Sequence, residues 1–299
     1  MALLNHAEIA EIETGFRVVF HEAYDQAEDP SVKLAMDVAS NGSSEDYVLF
    51  KDVPVMKEWI DERQYESMKA EKFNIVNKSY ENSFKVDRDH LEDDKLGYYV
   101  HQAAQMGKEA KLHPGKLCRQ ALLEGFSATS SFGLCYDGEA LFSNSHENSF
   151  DNLIGNVPLT ATSFFGAWVD FASQTDSSGE NREKMPTDIF VGPALYKVAR
   201  EIIMSSLSES ANNAATDNQL QGLVNINLMP NFIGTYVNYW ALADLSTAKP
   251  LIKQNRRGLN FETDMTDMFK RKEYKWGADY RGAVGYGMFQ NIMGANVGA

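Results

Sequence analysis

The chain has 299 residues, 43% hydrophobic and 11% aromatic, with a formal net charge of −14. That size and composition describe a folded chain with a sizeable core, in one large or two small domains, and exclude a disordered one. The acidic balance argues against a dedicated nucleic-acid binder, no apolar run is long enough to cross a membrane, and the acid-bearing start of the chain does not read as a secretion signal.

Ile9, Ile12, Phe16, Val19 and Phe20 fall near one face of a helix over residues 7–27, interrupted by Gly15 at about 1 kcal/mol and ending before Asp29-Pro30. Asn41-Gly42-Ser43-Ser44 marks a turn or linker. Val53 to Arg63 reads as a charged helix. Ala70 to Arg88 reads as a long β-hairpin, with Phe73 and Ile75 alternating on one arm and Phe84 and Val86 on the other. Each arm of roughly 8 residues spans about 26 Å. An isolated two-stranded hairpin is marginal in water, so unless the hairpin folds back on its own chain, these four apolar residues are expected to meet a neighbouring subunit.

Leu96, Tyr99, Val100, Ala103 and Ala110 form the apolar stripe of a long helix, with Asp93 and Asp94 at its N-terminal end. Pro114 predicts a kink or restart. The helix then continues through Leu117, Ala121 and Leu122, and Gly125 ends it. Residues 127–155 are rich in Ser, Asn and Gly, with a turn at Tyr136-Asp137-Gly138. A helix over Ala161–Ala172, an exposed loop over 173–184, a strand at Ile189–Val191 and a helix opening on Pro193 follow. Strands are expected at 222–228, 236–243, 251–261 and 274–286. Helices and strands mix without a βαβ period, so the fold class is α+β.

No catalytic signature is present: no G-x-S-x-G, H-E-x-x-H, P-loop or G-x-G-x-x-G. Asp87, Asp89, Glu92, Asp93 and Asp94 are the densest acidic cluster, but Leu91 stands where a calcium loop needs a ligand and no glycine supplies its turn. Cys118, Cys135, His101, His113 and His146 match no zinc spacing, and two cysteines fit buried thiols in a reducing compartment. No cofactor is expected. Charge is uneven: residues 1–66 hold 5 Lys/Arg and 15 Asp/Glu, whereas residues 249–281 hold 9 Lys/Arg and 5 Asp/Glu. Solvated faces explain this most simply. The sharper reading pairs Asp87, Asp89, Asp93 and Asp94 of one subunit with Arg256, Arg257, Arg271 and Lys272 of another.

Several segments, in order and with compatible spacing, carry a resemblance. They are V-P-V-M-K-E-W at 53–59, V-D-R-D-H-L-E-D-D-K-L-G at 86–97, Met106-Gly107, L-L-E-G-F at 122–126, Y-D-G-E-A-L-F at 136–142 and Ser145-His146. I-F-V-G-P-A-L at 189–195, Y-W-A-L-A-D at 239–244 and P-L-I-K-Q-N-R-R at 250–257 continue it. Together they resemble the major head subunit of Mu-like phages and prophages.

The resemblance implies a Hong Kong 97-type capsid fold. Its parts would be an N-terminal arm (1–45), a peripheral-domain helix (46–66), an extended hairpin loop (67–93), a spine helix (94–126), an axial domain (127–247) and a return to the peripheral domain (248–299). It implies no catalysis. Many copies would form pentamers and hexamers of an icosahedral shell around double-stranded DNA, bound without sequence specificity and without a membrane. Scaffold, portal and decoration proteins would be partners, in a virion capsid assembled in the bacterial host cytoplasm. Some capsids of this fold join Lys to Asn; Lys69, Lys72, Lys78, Lys85, Asn255 and Asn260 supply the residue types. The rival readings are an encapsulin-like compartment, a ring-forming adaptor, and a soluble hydrolase. The hydrolase would use Cys118, Cys135 or a serine of 127–131 as nucleophile, with His146 as base.

Overall fold

The computed structural model describes residues 6–50, 70–93, 97–176, 179–209, 215–246, 248–264, 266 and 272–298. The expected N-terminal helix is α1, His6–Gln26. It buries Phe16 and Phe20, with Ile12 beside them, against a long helix and a sheet. Asp29 then caps a 3₁₀ turn, Pro30–Leu34, by accepting from the Ser31 N–H.

The first sheet joins distant parts of the chain. β1 (Ala35–Ala39) pairs parallel with β11 (Leu251–Asp264); β11 pairs antiparallel with β12 (Glu273–Tyr286), and β12 with β4 (Lys78–Asp87). Tyr274, Trp276 and Ala278 alternate into the core, the period of a strand with one covered face. The β11–β12 register shifts between Asn255 and Arg257 and again between Arg257 and Asn260, a bulge that lifts Arg256 and Arg257 to the surface.

One expectation changes here. β2 (Ser44–Phe50) pairs antiparallel with β3 (Ala70–Val76), from Ser44↔Val76 to Phe50↔Ala70. The arms read as one hairpin over 70–88 therefore separate at Asn77: β3 returns to β2, and β4 joins β12. Alternation identifies a strand and its faces but not its partner. The helix read at Val53–Arg63 lies outside the described residues.

After β4 comes a short helix, α2 (Arg88–Glu92), capped by Asp87, whose side chain accepts from the Asp89 N–H at 2.8 Å. The long helix α3 (Tyr98–Glu124) starts at Gly97, held at φ 67°. Asp93 therefore ends α2 instead of leading into α3, and Asp94 lies outside the described residues. α3 runs unbroken past Pro114, without the expected restart. Gly125 does follow it, but in right-handed conformation; its role is room, because a Cβ there would lie 2.9 Å from the Leu141 Cβ.

The second sheet is β5 (Leu153–Gly155), β13 (Ile292–Ala295), β10 (Trp240–Ala243), β6 (Asp188–Val191) and β9 (Asn225–Leu228), in that spatial order. β6, β10 and β13 are buried at every position, as strands covered on both faces must be. One face packs with the second half of α3 around Leu122, Leu141 and Phe289. The other is covered by α4 (Ala161–Ala172), entered through a Thr160–Ser163 capping box, and α5 (Pro193–Ile203). Residues 248–299 do not all return to the first sheet: β13 lies inside the second, because β12 leads through Phe289–Asn291 directly into it. A small ribbon, β7 (Leu207–Glu209) with β8 (Ala215–Asp217), completes the described elements.

Candidate assembly interface

The β2–β3 ribbon is fixed at its base by a polar clamp. Ser40 follows β1, and its N–H donates to the Asn255 carbonyl at 3.0 Å. The Glu45 carboxylate accepts from the Ser40 hydroxyl at 2.8 Å and from the N–H groups of Asn41 at 2.6 Å and Gly42 at 2.9 Å. The Gly42 N–H, the Ser40 hydroxyl and the Asn41 N–H together hold that carboxyl below the ordinary carboxylate range. Asn77, where β3 ends, donates from its amide to Ser40 at 2.7 Å and to the Gly42 carbonyl at 3.1 Å, and from its backbone to the Ser43 carbonyl at 2.9 Å. The buried Gln254 of β11 donates to the Tyr47 hydroxyl at 2.9 Å, and Tyr47 stacks on Phe73 with ring centroids 5.2 Å apart. Burial raises the Tyr47 phenol above its usual range.

The four apolar residues expected to meet a neighbour have partners within their own chain. Ile75 is 7% exposed and packs with Ile252 and Ala283; Phe73, Tyr47 and Val38 close over the same cluster. Gly285 makes room for it, since a Cβ there would lie 2.6 Å from Ile75 Cδ1. Val86 is 3% exposed, and Phe84 stacks on Trp276 at 5.2 Å. The ribbon's other face carries Asp46, Lys72 and Asn74, with Val48 44% and Val76 59% exposed. Alternation showed an apolar face, and only tertiary structure shows that its cover comes from β11, β12 and α1.

Charges behave similarly. Lys272 lies 3.4 Å from Asp89, and Arg257 pairs with Asp279, both within the chain. Lys253 of the basic strand reaches Asp37 of the acidic N-terminal segment at 2.7 Å. The complementarity expected between subunits is thus partly met inside one. Asp87 is engaged as a cap, Asp93 and Arg256 are exposed, and Arg271 lies outside the described residues. Of the lysines considered for crosslinks, Lys72, Lys78 and Lys85 are exposed, as are Asn255 and Asn260; Lys85 pairs with Glu273 at 2.8 Å, and Lys69 lies outside the described residues.

The hydrolase constellation does not assemble. Burial pushes the Cys118 thiol up to about 12 and raises that of Cys135 as well, so neither is a ready thiolate. His146 is buried, stacked on Phe289 at 3.8 Å; its Nδ1 lies 2.6 Å from Asp137 Oδ2 and its Nε2 3.3 Å from the Leu141 carbonyl. Ser130 instead meets the Tyr286 hydroxyl at 2.7 Å, and Ser131 donates to Glu124 at 2.7 Å. Burial raises the Asp137 carboxyl, but the hydrogen bond and charge of His146 outweigh it and leave the group below the ordinary range. This pair staples the expected turn, where Gly138 sits at φ 84°. Among the described residues no His, Cys, Asp and Glu gather as a metal site, and no helix is long and apolar enough to cross a membrane.

A junction that sequence reading missed ties the two sheets together. Arg119 of α3 pairs with Asp29 and donates to Ser31 at 2.9 Å and to Asn231 at 3.0 Å. Ser31 in turn points its hydroxyl at Met229 Sδ, 3.6 Å away. Its only local signal is the Asp29-Pro30 cap; the partners lie some 90 and 200 positions downstream.

Residues 9–157 and 225–297 match the family described as Mu-like prophage major head subunit gpT. Over 144 residues the chain is 32% identical to the major capsid protein of Escherichia phage Mu, covering 48% of this chain and 46% of that protein. Over 281 residues it is 25% identical to the Mu-like prophage FluMu major head subunit of Haemophilus influenzae, covering 92% of this chain and 69% of that one. The chain thus matches less than half the length of the phage Mu protein. A chain from the procapsid of bacteriophage JBD30 superposes with a TM-score of 0.56 at 23% identity, covering 99% of this chain and 77% of the other. That superposition identifies the α+β architecture as the Hong Kong 97-type capsid fold. With the family pattern matched over most of its length, this chain belongs to the Mu-like prophage major head subunit gpT family.

Proposed function

We propose that this chain is the major head subunit of a Mu-like tailed phage or prophage, and that many copies close into an icosahedral shell around double-stranded DNA. Its work is assembly, not turnover. Membership of the head-subunit family is the observation that carries this reading, and the ribbon clamped at the base of the first sheet supports it. A ribbon held at one end by Glu45 and Asn77 keeps a defined direction, so its outer face, with Val48 and Val76, is available to a neighbour. The first sheet with α1 and α3 is the peripheral domain, and the second sheet with α4 and α5 is the axial domain of pentamers and hexamers.

The partners are then other copies of the chain, together with scaffold, portal and decoration proteins. The DNA is enclosed without sequence-specific contact, and an acidic chain suits a wall from which DNA must later leave. The place of the protein is the virion capsid, assembled in the bacterial host cytoplasm. Size-exclusion chromatography with negative-stain microscopy of the purified protein, alone and co-expressed with the scaffold, tests this. Shells, tubes or capsomer rings are expected. A monomer of 33.5 kDa that persists with the scaffold present overturns the proposal.

A further inference from the structure

Helix α4 is apolar on two sides. Phe164, Ala167 and Phe171 face the second sheet, while on the outer side Phe165 is 46% and Val169 39% exposed; Trp168, half-buried, packs on the same core and borders Phe165. The rings of Phe165 and Trp168 stack in near-parallel planes, 6° apart with centroids at 6.2 Å. Asp170 is the helix's one charged residue. A second apolar stripe on a helix calls for a cover, and among the described residues none covers Phe165 and Val169. It also lies between the two stretches that match the family, so this face belongs to the part of the chain outside the shared pattern.

A counterpart stands on the far side of the same sheet. α5 covers β6 and the edge strand β9, and α4, entered from the other edge strand β5, covers the remainder of that face. Leu228, the last residue of β9, is 40% exposed and Ile233, across the tight turn that follows, is 63% exposed. Two different apolar sites at opposite edges of one domain suit a head-to-tail contact, which closes into a ring when repeated about an axis.

We infer that the Phe165–Trp168–Val169 face of α4 seats on Leu228 and Ile233 of the next copy of this chain within a capsomer. The inference rests on reading the chain as a head subunit, and it adds the contact that orders the axial domains. Pairing Thr162→Cys with Thr235→Cys tests it, because both positions are exposed beside the two patches and the native Cys118 and Cys135 are buried. Thr162 stands one turn before Phe165 on the same side of α4, the spacing that places side chains next to one another on a helix. Assembled particles treated with a short bismaleimide should give a ladder of covalent oligomers from the double variant and none from either single variant. Phe165→Asp should melt like the parent chain yet lose particles. Particles that form without a ladder overturn this contact and leave the head-subunit reading standing. A covalent dimer from Thr162→Cys alone shows α4 meeting α4, which also overturns it. If the parent chain forms no particles with its scaffold, the head-subunit reading fails first.

Discussion

Gly107 of α3 meets the backbone of Phe20 in α1 so closely that a Cβ on the glycine would lie 2.2 Å from the Phe20 carbonyl oxygen. Two helices far apart in sequence touch backbone to backbone there, and the missing side chain is the reason they can. Gly107→Ala should therefore push α1 off α3 and destabilise the chain by about 1–3 kcal/mol, seen as a lower midpoint in thermal unfolding. Gly15→Ala on α1 is the control: nothing lies within 4 Å of its Cβ, and it should gain up to about 1 kcal/mol from helix propensity.

Arg119 and Asp29 are a buried ion pair, with side chains 12% and 4% exposed. Arg119→Met leaves the Asp29 charge buried without its partner and should cost about 3–5 kcal/mol in urea unfolding. Adding Asp29→Asn should return much of that loss, because the amide oxygen still caps the Ser31 N–H.

Much of this architecture was legible from local pattern. α4 begins and ends where apolar spacing placed it, α1 stops ahead of Asp29-Pro30, and the strands around Ile189, Trp240, Leu251 and Tyr274 appear where alternation or apolar runs predicted them. Partners were not legible. Phe73 and Ile75 announce a strand, but nothing near Asn77 says that the next strand turns away to β12 while β2 takes its place; Asn77-Lys78 also lacks the glycine that tight hairpin turns favour. The Glu45–Ser40–Asn77 clamp and the Arg119 junction depend on contacts between segments that no periodicity links.

The clamp should respond to a single-atom change. Asn77→Asp replaces the amide donor facing the Gly42 carbonyl by an acceptor and brings a second carboxylate toward Ser40 and Glu45. It should cost about 1–3 kcal/mol and speed proteolysis and hydrogen exchange of the ribbon strands, 44–50 and 70–76, more than elsewhere. Equal protection in the variant would show that the clamp does not hold the ribbon.

Asp137 makes stability depend on acid. Its carboxyl titrates below the ordinary range in the folded chain, so the ionised form is stabilising. That contribution is complete at neutral pH and is lost as pH falls below about 3.9, the value in an unfolded chain, and through the lower folded value. The gap in unfolding free energy between the parent chain and Asp137→Asn should be widest near neutral pH and shrink on acidification. A gap that grows on acidification would contradict the sign.

Thiol reactivity should be slow. Burial raises both Cys118 and Cys135, so a disulfide-exchange reagent at about pH 8 should label neither promptly in the native chain and both quickly in denaturant. Rapid native labelling of either would contradict its burial.

The most direct measurement is a cryo-electron microscopy map of particles formed by the full chain with its scaffold. The expected map is a closed shell in which the β2–β3 ribbon, still held by its clamp, lays its Val48 and Val76 face on an adjacent subunit while the axial sheets converge on five-fold and six-fold axes. A chain that yields no shell, or a shell in which the ribbon touches only its own subunit, would contradict the assembly role assigned to it.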